Sequence, residues 1–162
     1  MDTGAQASTQ TAQHRHGLRG QRAINVVVRG LLRTPGPASL LGRRLVVLSF
    51  MGRASGRRYA VPVAYLADGD DLLVGTSSGW KRNLRTGDVV PVRLKGRSRR
   101  ARVTVCTARP DVVAAYGLMV RANPAFARLN GVRVVDGVPD EAALCRAWEA
   151  GAWAIRLTPL SD

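Results

Sequence analysis

Three groups of side chains in this sequence have types and spacings that could do chemistry. The first is Gly52-Arg53-Ala54-Ser55-Gly56-Arg57-Arg58, a basic turn between two apolar runs. Guanidinium groups, a hydroxyl and glycine backbone are what hold a phosphate or carboxylate. The second is Ser77-Ser78-Gly79-Trp80-Lys81-Arg82-Asn83, with two hydroxyls, an aromatic ring, an amide and one of the chain's two lysines. Trp80, at the start of a helix, can wall a planar ring system or pack half-buried. Asn83 can orient a ligand or sit as a polar group inside the helix. The third is Arg93, Lys95, Arg97, Arg99, Arg100 and Arg102. Arg93, Lys95 and Arg97 alternate with Val92 and Leu94, which is the pattern of a sheet's solvated face. Its functional reading is attraction of an extended polyanion.

Other chemistries are disfavoured. Both histidines, His14 and His16, fall in a polar N-terminal stretch, so histidine-based metal sites, triads and general bases are not expected in the folded part. Cys106 and Cys145 lack metal-ligand spacing and read as buried thiols. The acids are scattered over turns and helix starts, and no carboxylate pair stands out. Tyr59, Tyr65 and Tyr116 remain as proton donors.

Something must position these groups. With 162 residues, 46% of them hydrophobic, the chain has one domain's worth of core. No apolar run approaches the ~20 residues that span a bilayer. Residues 1–19 read as a disordered tail with no secretory signal, and 20–162 as a single domain. Gln21 to Arg33 has helical apolar spacing through Ile24, Val27, Val28, Leu31 and Leu32. Leu45–Met51 and Tyr59–Leu66 read as strands around the basic turn, and Ala67–Asp71 as a tight turn. Leu72–Thr76 is the next strand. Val89–Leu94 and Ala101–Thr107 form a hairpin around Gly96-Arg97-Ser98. Helices follow at Asp111 to about Arg121, a short turn to Leu129, and Asp140–Glu149. Val132–Val135 is ambiguous, and Gly151–Leu157 is a closing strand. About six strands joined mostly by tight turns predict a mainly β, α+β antiparallel fold of the size of a small closed barrel.

Net charge is +14, and 23 of the 25 basic residues are arginine. Between Thr3 and Ala67 there are ten arginines and no acid. Such a field draws polyanions or phosphorylated and carboxylated small molecules. It also permits a contact of the basic N-terminal helix with an anionic membrane surface.

Gly52-Arg53-Ala54-Ser55-Gly56 with Pro62 downstream, then Ser77-Ser78-Gly79-Trp80 and the Trp80-x-x-Asn83-Leu84 pattern, resemble the deazaflavin-dependent nitroreductase family. The resemblance runs from about Ile24 to Pro159. It implies a split β-barrel like that of FMN-binding proteins, and passage of a hydride from reduced coenzyme F420 to a quinone, nitroaromatic or other small acceptor. It further implies that Arg53, Ser55 and Gly56, with Arg57 or Arg58, hold the coenzyme's phosphate and acidic tail. Ser77, Ser78, Lys81 and Asn83 would line the deazaflavin and its linker beside Trp80. If a proton donor is needed, Tyr65 or Tyr116 is the candidate. The Ser78–Asn83 loop is shorter than in members with a glycine-rich insert before the tryptophan, and Tyr116 is the only late tyrosine. The alternatives are a split barrel that binds FMN, haem or a lipid without reductase activity, and a polyanion or membrane-surface binder. No specific nucleic acid and no metal is expected. A monomer or homodimer in the cytoplasm, in peripheral contact with the inner membrane face in one variant of the reading, completes the expectation.

Overall fold

The computed structural model describes residues 44–161; the expected tail and the helix at Gln21–Arg33 lie outside the described residues. In chain order the elements are β1 (Leu45–Met51), β2 (Arg58–Ala64), β3 (Leu66–Asp68), β4 (Asp71–Thr76), a 3-10 turn (Gly79–Asn83), β5 (Val89–Leu94) and β6 (Arg97–Cys106). They continue with α1 (Arg109–Ala122), α2 (Pro124–Leu129), β7 (Val134–Val135), β8 (Val138–Pro139), α3 (Glu141–Glu149) and β9 (Trp153–Pro159).

Seven strands form one sheet in the order β2-β1-β5-β6-β9-β4-β3, each adjacent pair antiparallel. The two edge strands, β2 and β3, are consecutive in the chain with Tyr65 alone between them. One bent ribbon therefore pairs with β1 over its first part and with β4 over its second. That connection forces the sheet to curl round onto itself as a split barrel.

The expected strand count was about six, and the structure departs from it at identifiable places. The Tyr59–Leu66 run divides at Tyr65, and its last residue Leu66, with Ala67 and Asp68 that were expected to open a turn, pairs with β4. The turn between β5 and β6 takes only Lys95 and Gly96, both at positive φ (48° and 79°). This is the backbone a two-residue hairpin needs, so β6 begins at Arg97 rather than Ala101. The ambiguous Val132–Val135 contributes to a small β7–β8 hairpin whose turn, Asp136-Gly137, also has positive φ at both residues.

Alternation fills the barrel. Val46, Leu48 and Phe50 of β1, Val61 and Val63 of β2, Val90 and Val92 of β5, and Ala101 and Val103 of β6 point inward with Ile155 and Leu157 of β9. A second apolar cluster lies between the other face of the sheet and the helices, built from Leu73 and Ala154 against Val112, Tyr116, Met119, Val120, Phe126 and Leu144. β4 serves both, with Leu72 and Val74 in the first cluster and Leu73 in the second. A strand buried on both faces reads as the continuous apolar run Leu72-Leu73-Val74 rather than an alternation. The helices come so close that a Cβ on Gly75 would lie 2.7 Å from Met119 Cε and from Phe126 Cζ. α1 buries Val112, Ala115, Tyr116, Met119 and Val120 at helical spacing. Asn123 Oδ1 caps α2 by accepting from the amides of Ala125 and Phe126, and Asp140 Oδ1 caps α3 through Ala143.

Candidate functional site

The barrel splits between β1 and β5. Their ladder covers only Val46–Leu48 against Val92–Leu94. Beyond it, Ser49–Met51 and Val89–Pro91 diverge, and among the described residues the backbone groups facing each other there have no ladder partners across the gap. Pro91, with no amide hydrogen, sits where β5 has left β1. The gap is a cleft of about 360 Å³ lined by Ser49–Met51, Gly52, Arg53 and Arg58 on one side and Asn83, Leu84, Asp88 and Val89–Pro91 on the other.

The basic turn stands at one end of this cleft. Gly52 N–H donates to Arg57 O (2.7 Å) and Gly56 N–H to Gly52 O (2.8 Å), closing the loop, with Gly56 at φ 61°. Gly52 is buried, and a Cβ there would come within 2.5 Å of both Ser55 Oγ and the Tyr59 ring. The Ser55 and Tyr59 hydroxyls share a 3.0 Å hydrogen bond, and Ser55 Oγ also accepts from Arg57 N–H (3.3 Å). Arg57 and Arg58 are exposed, and neither forms an ion pair among the described residues.

Arg53 is held differently. Its amide donates to Asn83 Oδ1 (2.9 Å), its Nε to Asn83 O (3.0 Å), and its Nη2 to Asp88 Oδ2 (3.2 Å). Asn83 Nδ2 donates to Trp80 O (2.9 Å), and Asp88 Oδ2 also accepts from Arg85 N–H (2.8 Å). A clasp thus runs from the hairpin turn to the 3-10 turn and on to the start of β5.

Trp80 is half-buried and stacks on Phe50, ring centroids 5.9 Å apart; Phe50 stacks in turn on Tyr59 at 5.8 Å. Of the two readings of Trp80, packing against the barrel core is what the structure displays. The stack backs the cleft through Phe50.

The remaining expected site residues separate from this group. Lys81 is only 6% exposed. Its Nζ donates to Ser77 O (3.0 Å) and Gly151 O and lies over the Trp153 ring. Burial, with a smaller contribution from the charge of Arg82, holds its pKa below the ordinary lysine value. Lys81 therefore ties the 3-10 turn to the start of β9. Ser77 and Ser78 are exposed before that turn, outside the cleft lining. Pro62 lies in edge strand β2 opposite Val47, also outside it. Tyr116 is buried in the second cluster against Phe126, where burial raises its pKa, and it lines neither cavity. Tyr65 lines a different cavity of about 450 Å³, between the β2–β3 junction and α1–α2, with Arg44, Leu66, Met119, Pro124 and Phe126. The two cysteines are half-buried and free. Among the described residues no three His, Cys, Asp or Glu gather to hold a metal, and no helix is long and apolar enough to cross a membrane.

Of the expected cofactor residues, the structure brings Arg53, Arg58 and Asn83 into one cleft, with Ser55, Gly56 and Arg57 in the adjoining turn. The sequence reading passed over Asp88. A signal was present: Asp88 is the only acid between Asp71 and Asp111, a stretch carrying ten basic residues. An isolated carboxylate in such a field is expected to have a cationic partner.

No protein-family model matches the chain, and no curated protein matches it in sequence. Among solved structures it is similar to one named as an F420-H2 dependent reductase, at 14% identity and TM-score 0.47 over 71% of this chain and 94% of that one. It is also similar to a 5-nitroimidazole antibiotic resistance protein from Bacteroides thetaiotaomicron (11%, TM-score 0.48, 87% and 80% covered). A third is a FAD-binding protein from Mesorhizobium loti (16%, TM-score 0.42, 76% and 86% covered).

Proposed function

We propose that this protein is a deazaflavin-dependent reductase, passing a hydride from reduced F420 to a small organic acceptor such as a quinone or nitroaromatic. The observation that carries the reading is the convergence of Arg53, Arg58 and Asn83 on the cleft where β1 and β5 part. Arg53 belongs to the Gly52–Gly56 stretch, with Arg58 just after it, and Asn83 to the Trp80-x-x-Asn83-Leu84 pattern thirty positions on; the Arg53–Asn83 hydrogen bonds join them.

The residues present fit such a coenzyme. Unpaired backbone edges on Ser49–Met51 and Val89–Pro91 suit the amide-like rim of a heterocycle, and Phe50, Leu84 and Val90 give it an apolar wall. The exposed guanidiniums of Arg57 and Arg58 suit a phosphodiester and carboxylates. The coenzyme, when bound, supplies the hydride. The chain's part is to fix the ring edge with main-chain groups, keep water from one face, and hold the acidic tail by charge. That division of labour needs no histidine and no paired acids at the cleft.

The test is a fluorescence titration with oxidised F420, with FMN in parallel. Micromolar F420 binding that weakens about tenfold or more in Arg58→Ala and Asn83→Ala supports the reading. FMN binding without F420 binding keeps the cleft and changes the cofactor. Binding of neither removes the proposal.

A further inference from the structure

The anion that Arg53 holds in this structure belongs to the protein. Asp88 Oδ2 accepts from both the Arg53 guanidinium and the Arg85 amide, at the rim of the cleft. One guanidinium and one backbone N–H converging on an oxygen is the donor set of a phosphate or carboxylate site. Both members of the pair are partly exposed, 40% for Arg53 and 35% for Asp88, so water and solutes reach it. Asp88 lies in neither apolar cluster.

We propose that Asp88 is a specificity-determining residue: an internal counter-anion that occupies the Arg53 subsite and keeps small free anions out of the cleft. It deepens the coenzyme reading and rests on it for the identity of the natural ligand. An anion reaching Arg53 must displace Asp88 and tolerate a carboxylate beside it. A free phosphate has nothing to offset that. A ligand whose ring is already seated between β1 and β5 brings its anionic group to the rim at high effective concentration and can compete. Arg57 and Arg58, unpaired among the described residues, are left to give first contact.

The experiment uses inorganic pyrophosphate as the probe, titrated by calorimetry at low ionic strength into the full chain and into Asp88→Asn. The asparagine oxygen keeps an acceptor for Arg53 and Arg85 while the charge goes, and a melting curve confirms that the variant is folded. Removing a like charge from within a few ångströms of a bound anion is expected to tighten pyrophosphate binding about five- to twentyfold. The gain should vanish when Arg53→Ala is added to Asp88→Asn, because the freed group is Arg53. Asp136→Asn, which removes one negative charge in the β7–β8 turn outside the cleft lining, should give no comparable gain. Equal affinity in Asp88→Asn and the parent overturns the proposal. So does an equal gain in Asp136→Asn, or a gain that survives loss of Arg53. F420 titrated into the same proteins separates the two readings: failure of both to bind F420 removes the coenzyme reading and leaves the pyrophosphate result to decide the role of Asp88.

Discussion

Gly52 shows how a single atom governs the candidate site. It closes the basic turn by bonding Arg57 O, and its missing side chain leaves room for Ser55 Oγ and the Tyr59 ring. Gly52→Ala is expected to cost about 1–3 kcal/mol by overpacking, read from the urea midpoint, and to weaken F420 binding because the turn carrying Arg53 must shift. The tyrosines make an opposite prediction. Neither Tyr65 nor Tyr116 lines the cleft, so Tyr65→Phe and Tyr116→Phe are expected to leave reductase turnover within about twofold, as surface or packing changes do. A large loss in either variant would restore tyrosine as proton donor. At this scale the sequence was legible in which groups gather: Arg53, Arg58 and Asn83, from the two stretches it singles out, line one cleft. It was not at Lys81. A lysine in a polar, basic loop offers the same letters as a ligand contact. Only the fold shows that the carbonyls of Ser77 and Gly151 take its ammonium.

The strands were legible from apolar runs and, in β5, alternation, and the long helices in place if not to the residue, but the joints between elements were not. β6 starts four residues early because Lys95 accepts a left-handed backbone, which no composition rule assigns to lysine. The β3–β4 turn is fastened by Arg156 of β9, whose Nη1 bonds Asp68 Oδ2 (2.8 Å) and Asp71 Oδ2 (3.0 Å). A hydrogen bond from the Thr158 side chain, helped by Arg156, holds the Asp71 carboxyl below its usual pKa; burial opposes it, more than either the hydrogen bond or the charge of Arg156 alone and less than the Thr158 bond. The sign follows: a depressed carboxyl pKa contributes stability above the unfolded value, near 3.8, that is lost as pH falls through the folded value. Stability should therefore fall in acid below about pH 4. Arg156→Met should make that fall shallower while costing about 1 kcal/mol at neutral pH, since the pair is partly exposed. Urea titrations at pH 7 and pH 3 check both; an unchanged acid slope in Arg156→Met would remove Arg156 from the account.

Across the whole molecule, an antiparallel barrel was readable from the succession of tight turns, while the strand order was not. Hairpin logic places each strand beside its predecessor. Yet β5 pairs with β1, and β9 inserts between β6 and β4. Those neighbours are chosen by burial: Ile155 and Leu157 complete the barrel interior on one face of β9, and Ala154 meets the helices on the other. The cleft inherits this illegibility, since its walls come from strands that touch only because β1 and β5 pair for three residues and then part. Removing β9 by ending the chain after Ala152 is expected to abolish cooperative unfolding, monitored by near-ultraviolet circular dichroism.

The position of β9 has a consequence for how the protein is made. Among the described strands of the sheet, the one that leaves the ribosome last is an interior one, and until it arrives β4 and β6 each present a bare edge. The nascent chain must hold two sheet fragments apart without letting those edges find another polypeptide, the state in which β proteins aggregate. Arg102, in the stretch of β6 that will pair with β9, then takes on a second purpose: with Arg97, Arg99 and Arg100 on the preceding part of the strand, it places like charge beside an edge that waits for its partner.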